Sequence, residues 1–352
     1  MSSSRIDIAT YWKSDRKRLI VDVRTPAEFA KGHLPGAVNL PLFSDEERVV
    51  VGTTYKQVSP QAAMDLGLEL VGPKLLQLVQ KARELATGRP LLLHCWRGGK
   101  RSESMAWLLQ TAGHSVQVLE GGYRAFRAFV RQELDRSPVR SIVVGGATGI
   151  GKTEILLELA KLGEQVIDLE GLSRHRGSAF GNLSGDAQPS IEQFENDLFQ
   201  VLQTFDLRRP IWLENESRSI GRIYLRDGIW RWLRGPIIQL TLPFEQRLDR
   251  LLNDYGSYSG AQLKKGFDNI RKRLGGLNHR LACEAIDGGD LRTAAALALQ
   301  YYDKSYHHHL AKQQRTHLYE LALEQAEAAT NARRLLAFSQ RITFPNRTYE
   351  HP

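Results

Sequence analysis

The chain has 352 residues, of which 42% are hydrophobic and 25% charged, and it carries a net charge of +9. That length suits two domains with a core each, and the composition is that of an ordinary soluble protein. The two cysteines, Cys95 and Cys283, exclude a disulfide framework and suit a reducing cytosol. The N-terminal residues lack the apolar core of a signal peptide, and no run approaches the roughly 20 apolar residues of a membrane span, so a cytoplasmic location is expected. The basic balance favours a polyanionic partner such as nucleic acid, although on charge alone a solvated surface explains it equally well.

In chain order, Arg18 to Val23 reads as a buried strand, Gly72 to Ala82 has helical period, and Pro90 to His94 reads as a second strand. A helix begins near Ser104, and Val116 to Leu119 is a further strand ending at the turn signal Gly121-Gly122. Strands alternating with helices imply a parallel sheet, with Cys95 at the carboxyl end of a strand. A charged helix over Tyr123 to Leu134 leads to a joint at Asp135 to Arg140. A second strand series follows: Ser141 to Val144, Gln165 to Leu169, Pro210 to Glu214 and Pro236 to Leu242. Beyond Gly260 the chain turns helical and basic through to about Arg341. The expected fold is α/β throughout: a parallel-sheet domain over 1–136, a second α/β domain over 137–255, and a helical basic region over 256–352 that packs with the second domain.

Cys95 lies in the run His94-Cys95-Trp96-Arg97-Gly98-Gly99-Lys100-Arg101-Ser102. Thiolates attack and thiols do not, and Arg97, Lys100 and Arg101 place three cations within a few residues of the sulfur. Gly98 and Gly99 let backbone N–H groups turn inward, just ahead of a helix start. Asp22 to Phe29, Gly32 to Pro41 and Leu119 to Tyr123 resemble the signatures of rhodanese domains. That resemblance implies a loop cysteine carrying sulfur or selenium as a persulfide or perselenide, a role it gives to Cys95. Five residues separate Cys95 from Arg101, the spacing of the related cysteine phosphatases and one more than in ordinary sulfurtransferases. The longer loop suits a tetrahedral phosphate-like substrate or an atom larger than sulfur, and selenophosphate offers both.

Gly146-Ala147-Thr148-Gly149-Ile150-Gly151-Lys152-Thr153 matches the phosphate-binding pattern G-x-x-x-x-G-K-[ST], after a strand and before a helix as the pattern requires. Gly146, Gly149 and Gly151 admit the backbone to phosphate, Lys152 supplies charge, and Thr153 supplies a hydroxyl for magnesium. An ATPase would also need an acidic residue to hold water or metal; Asp168, Glu170, Glu214 and Glu216 are candidates, and each is equally explained as an exposed strand-end carboxylate. Arg174, His175 and Arg176, between glycines and directly after a strand, can line an anion site.

A rhodanese-like domain followed by this P-loop domain resembles the bacterial tRNA 2-selenouridine synthases, from roughly Asp22 to Asp303. The segments Gly52 to Pro60 and Asp168 to Gly181 and the Cys95 loop carry that likeness. The resemblance implies two steps on the wobble uridine of tRNAs for Lys, Glu and Gln: S-geranylation of 2-thiouridine from geranyl diphosphate, then replacement of the S-geranyl group by selenium from selenophosphate. It implies no tightly bound cofactor, with Mg2+ as an optional ion, a selenophosphate source as partner, no membrane, and a monomer. A fused P-loop kinase or ATPase that activates a substrate with ATP stays open, because Ile237 to Arg250 also suits a nucleotide-kinase-like core. A phosphate-sensing module without chemistry is the third reading.

Lys264, Lys265, Arg271, Lys272 and Arg273, with Arg280 nearby, form the densest basic run and can track an RNA backbone, or serve as a solvated helix face. Tyr301 to His309 mixes aromatic and basic side chains that can stack bases. Its adjacent histidines cannot all face one ion from a helix. Cys283 reads as a packed helical cysteine.

Overall fold

The computed structural model describes residues 4–14, 17–175, 180, 187–312 and 317–344. The chain divides into two units, residues 1–134 with 189–200, and residues 135–188 with 201–352. The sequence places the joint close to this division but gives no sign that 189–200 returns to the first unit. That return is a matter of tertiary packing, described below.

In the first unit, β1 (Ser4–Ile6), β2 (Leu19–Asp22), β3 (Val38–Asn39), β4 (Leu91–His94) and β5 (Val116–Leu119) form one sheet in the order β1-β5-β4-β2-β3. Every pairing in it is parallel. β2 and β4 are buried along their whole length, which is why they read as unbroken apolar runs instead of alternating ones. Register sets Asp22 beside His94, so the residue before Cys95 faces an ionisable neighbour.

The helix Ile191–Leu202 lends residues 191–200 to this unit. Its Phe199 stacks among Trp12, Phe126 and Phe129. Beside that apolar seam, buried Arg127 binds both Glu195 and Asn196, and Asn196 donates to the Tyr123 hydroxyl at 3.1 Å and to the His33 carbonyl at 2.9 Å. The helix is anchored by a covered aromatic cluster and a polar network within it.

The second unit is built on β6 (Ser141–Gly146), β7 (Gln165–Ile167), β8 (Ile211–Glu214), β11 (Ile237–Thr241) and β12 (Leu318–Ala322), with a small antiparallel pair, β9 (Ser219–Ile220) and β10 (Ile223–Tyr224), beside them. The main sheet runs β12-β11-β6-β8-β7 and is parallel throughout. β12 lies inside the region read as helical from sequence. As an edge strand with one fully buried residue, it lacks the apolar run that betrays its neighbours. Elsewhere in the described part of that region, the helices Gly260–Leu274, Gly276–Asp287 and Leu291–Lys312 pack around Phe267, Ile270, Ala282 and Ala298. Among the described residues no helix is long and apolar enough to cross a membrane.

Candidate functional site

The loop after β4 folds tightly around the Cys95 sulfur. Gly122 has φ +58°, and a Cβ there would lie 2.3 Å from the Cys95 carbonyl and 2.5 Å from the Gly98 nitrogen, so only glycine allows the two segments to meet. The Tyr123 and Arg124 N–H groups then donate to the Cys95 and Trp96 carbonyls at 2.9 and 3.0 Å, tying the loop to the following helix. Cys95 is 4% exposed, with its sulfur 3.3 Å from the Ser102 hydroxyl. Burial disfavours the thiolate, but the Ser102 hydroxyl, the N–H groups of Arg97 and Ser102 and the charge of Arg101 together hold the thiol below its ordinary value.

Arg101 points to Glu28, accepted by its two carboxylate oxygens at 2.6 and 3.2 Å. Glu28 in turn closes the capping box at Thr25, on the helix Pro26–Lys31. Arg97 and Lys100 are exposed at the loop rim, as is Trp96 in part. Behind the loop, Arg24 is buried against Asp22, donates to the Gly32 carbonyl at 2.7 Å and lies 3.8 Å over the Tyr123 ring. Burial opposes charge on Asp22, yet His94 and the Arg24 hydrogen bonds hold its carboxyl below the usual range. Burial also pushes the His94 pKa down, against the pull of Asp22, and its Nε2 makes no hydrogen bond. The sequence marks Asp22, Arg24 and Glu28 only as parts of a signature; the structure gives each a partner behind or beside the sulfur.

The second cradle follows β6. Gly151, at φ +86°, turns the chain into the helix Lys152–Lys161, and Lys152 Nζ donates to the Gly146 carbonyl at 3.0 Å. The Thr153 hydroxyl donates to Glu170 at 3.1 Å, and the Glu170 N–H donates to Glu214 at 2.7 Å. Asp168 caps the helix Leu169–Ser173 through the Gly171 N–H at 2.7 Å. Burial raises the carboxyls of Glu170, Glu214 and Glu216, and each is raised further by like charge from the others or from Asp168; that of Glu216 reaches about 7. Glu214 is buried, with Oε2 unpartnered. Arg174 lies in the same cleft, and Arg176 is outside the described residues. The cleft has a volume of about 680 Å³.

Three braces of this cradle escaped sequence reading. Arg247 forms a bidentate pair with Asp303, both bonds 2.7 Å, and donates to the Thr148 carbonyl at 3.2 Å. Tyr306 accepts from the Gly146 N–H at 2.9 Å and donates to Gln239 at 2.5 Å. Arg250 pairs with Glu154 at 2.6 Å and lines the cleft. Tyr302, Asp303 and Tyr306 therefore face inward from the segment that the sequence offers to RNA bases; the side chains of His307, His308 and His309 lie outside the described residues.

Beside the cleft is a second, apolar cavity of about 70 Å³ among the C-terminal helices. Thr148, Phe180, Leu251 and Tyr255 line both. On the helix Gly260–Leu274, Leu263 and Phe267 turn toward this interior while Lys265, Arg271, Lys272 and Arg273 are exposed on the other side. Lys264 is bound to Asp287, Arg280 is exposed 3.7 Å from Glu284, and Cys283 is partly buried near His279. Among the described residues no group of three or more His, Cys, Asp or Glu side chains is arranged to hold a metal ion.

A family profile for the tRNA 2-selenouridine synthase AAA domain matches residues 139–335, and one for the rhodanese-like domain matches 10–129. A tRNA 2-selenouridine synthase of Pseudomonas fluorescens is 38% identical over 345 residues, covering 86% of this chain and 91% of its own. One from Sulfurovum is 34% identical over 329 residues, 83% of this chain and 89% of its own. One from Nitrosomonas europaea is 41% identical over 244 residues, 67% of this chain and 63% of its own. The fold, the two cradles and these likenesses agree: the chain belongs to the tRNA 2-selenouridine synthase family of tRNA-modifying enzymes.

Proposed function

We propose that the chain converts 2-thiouridine at the tRNA wobble position to 2-selenouridine in two steps, one at each cradle. Thiocarbonyl sulfur is a poor leaving group, and alkylation makes it a better one. In the first step the thiouridine sulfur attacks the allylic carbon of geranyl diphosphate, the carbon–oxygen bond breaks, and diphosphate leaves with the electron pair while the base loses its N3 proton to solvent. Lys152 and the N–H groups of the P-loop stabilise the departing diphosphate. The Thr153 hydroxyl, which is hydrogen-bonded to Glu170, would hold Mg2+ together with that carboxylate, and the ion would neutralise charge on the departing diphosphate. In the second step the Cys95 thiolate attacks C2 of the base, the carbon–sulfur bond breaks, and geranylthiol leaves with the electron pair and a proton from solvent. Selenium of selenophosphate then attacks the same carbon, the Cys95 thiolate leaves, and water cleaves the selenium–phosphorus bond to release phosphate; a perselenide on Cys95 would need a two-electron oxidant that selenophosphate does not supply.

The observation that carries this reading is the pairing of unlike cradles in one chain: a buried sulfur held toward thiolate in one, and a lysine and hydroxyl in the other. Substrates come from the family likeness, and tRNAs for Lys, Glu and Gln with them. The test is two variants against two substrates. Cys95→Ala should abolish selenation and leave geranylation intact, since alkylation needs no cysteine. Lys152→Ala should depress geranylation far more than selenation of a pre-geranylated tRNA. Full selenation by Cys95→Ala sinks the nucleophile role, and tRNA-dependent ATP hydrolysis lost in Lys152→Ala would favour a kinase-like enzyme instead.

A further inference from the structure

We infer that the apolar cavity among the C-terminal helices binds the hydrocarbon tail of the diphosphate ester, and that Ala294 and Ala298 set the length of tail it accepts. The inference rests on reading the P-loop cleft as a diphosphate ester site. A ligand whose phosphates lie at Lys152 and Thr153 has the cavity next to it, because the two spaces share Thr148, Leu251 and Tyr255.

The walls choose the chemistry of the occupant. They are aliphatic and aromatic, with no charged side chain among them. A nucleoside placed there would leave ribose hydroxyls and ring nitrogens largely without partners, at about 1–3 kcal/mol for each group. A branched hydrocarbon meets no such penalty, and an apolar cavity of this kind tends to stay dry until an apolar group fills it. Its 70 Å³ is about half of the ~150 Å³ that admits the six carbons of benzene, so it takes about three carbons, the branched end of an isoprenoid tail, with the rest of the tail lying along the shared residues.

The space exists because small side chains stand where large ones would close it. Ala294 and Ala298 lie one turn apart on the helix Leu291–Lys312, and both are buried. Opposite them, Phe180 is seated against Gly266, where a Cβ would come within 2.2 Å of its ring. Ala298→Phe should fill the cavity from the helix side, whereas Phe267→Ala should deepen it.

Direct binding of dimethylallyl, geranyl and farnesyl diphosphates, with inorganic diphosphate as reference, tests this. The unaltered chain should bind geranyl diphosphate at least about tenfold more tightly than dimethylallyl diphosphate, since even one added methylene in an apolar pocket yields about that discrimination. Ala298→Phe should erase the preference while keeping affinity for dimethylallyl and inorganic diphosphate. Phe267→Ala should shift preference toward farnesyl diphosphate, which covers the case of an Ala298→Phe chain that does not fold. Retention of the geranyl preference by Ala298→Phe, or an unchanged order in Phe267→Ala, overturns the inference. Tight geranyl diphosphate binding without S-geranylated tRNA would overturn the proposed function and leave the tail site standing.

Discussion

Cys95 and Ser102 are separated by one loop in sequence and by a single 3.3 Å hydrogen bond in space, and that bond opposes the penalty of burying the sulfur. The cations beside Cys95 are visible in sequence, but their division of labour is not. Arg101 is engaged by Glu28, whose position depends on a helix cap far upstream, while Arg97 and Lys100 stay exposed. With its pKa depressed, the thiol is ionised above a lowered midpoint and protonated only as pH falls through it. Alkylation of Cys95 by iodoacetamide should therefore reach half its limiting rate at a lower pH than alkylation of the same residue in the unfolded chain. Ser102→Ala should move that midpoint up, since the thiolate loses the hydroxyl that helps to hold it. An unmoved midpoint in that variant would assign the whole shift to the loop N–H groups and Arg101. Glu28→Gln should instead lower the midpoint, because it removes a carboxylate and frees the charge of Arg101 to act on the sulfur.

At the scale of elements, legibility follows how locally each one is specified. β2, β4 and β6 are buried on both faces and announce themselves as apolar runs, and the P-loop follows from its own glycines and lysine. The edge strands β1 and β12 carry too few buried residues to be read in advance. Helix Ile191–Leu202 is amphipathic in any reading, but nothing in its sequence says that its apolar face covers Trp12 and Phe126 instead of its nearer neighbours. The same holds for Tyr306, whose place beneath Gly146 is fixed by a sequence separation of 160 residues. The docked helix yields its own prediction. Arg127→Met removes the ion pair made to the buried Glu195 and should destabilise the first unit by about 3–5 kcal/mol. Urea unfolding followed by Trp12 fluorescence measures it. Adding Glu195→Leu should restore much of the loss, since an apolar pair of similar volume does not carry the desolvation penalty. If Arg127→Met unfolds at the original urea concentration, the buried pair contributes nothing and Phe199 alone anchors the helix.

For the molecule as a whole, the net charge of +9 poses the question of where a polyanion would bind, and the helix Gly260–Leu274 gives it a definite form. Its inward residues serve the apolar interior and its outward ones are cationic, so the same helix can wall a hydrocarbon tail and meet a phosphate backbone. The structure also separates these charges by their surroundings. Lys264 is already bound to Asp287, so the exposed set is Lys265, Arg271, Lys272, Arg273 and Arg280. Replacing these with glutamine should weaken tRNA binding and flatten its dependence on salt, each lost phosphate contact lowering the log–log slope by about 0.7–0.9. Lys264→Gln alone should change that slope much less than any of the exposed set, since its charge is spent on a carboxylate. Binding titrations at several salt concentrations distinguish the cases. An unchanged slope in the multiple variant would make this face a solvated helix surface and place the RNA contact on other basic residues, whereas a large effect from Lys264→Gln would mean that the Asp287 pair opens when tRNA arrives.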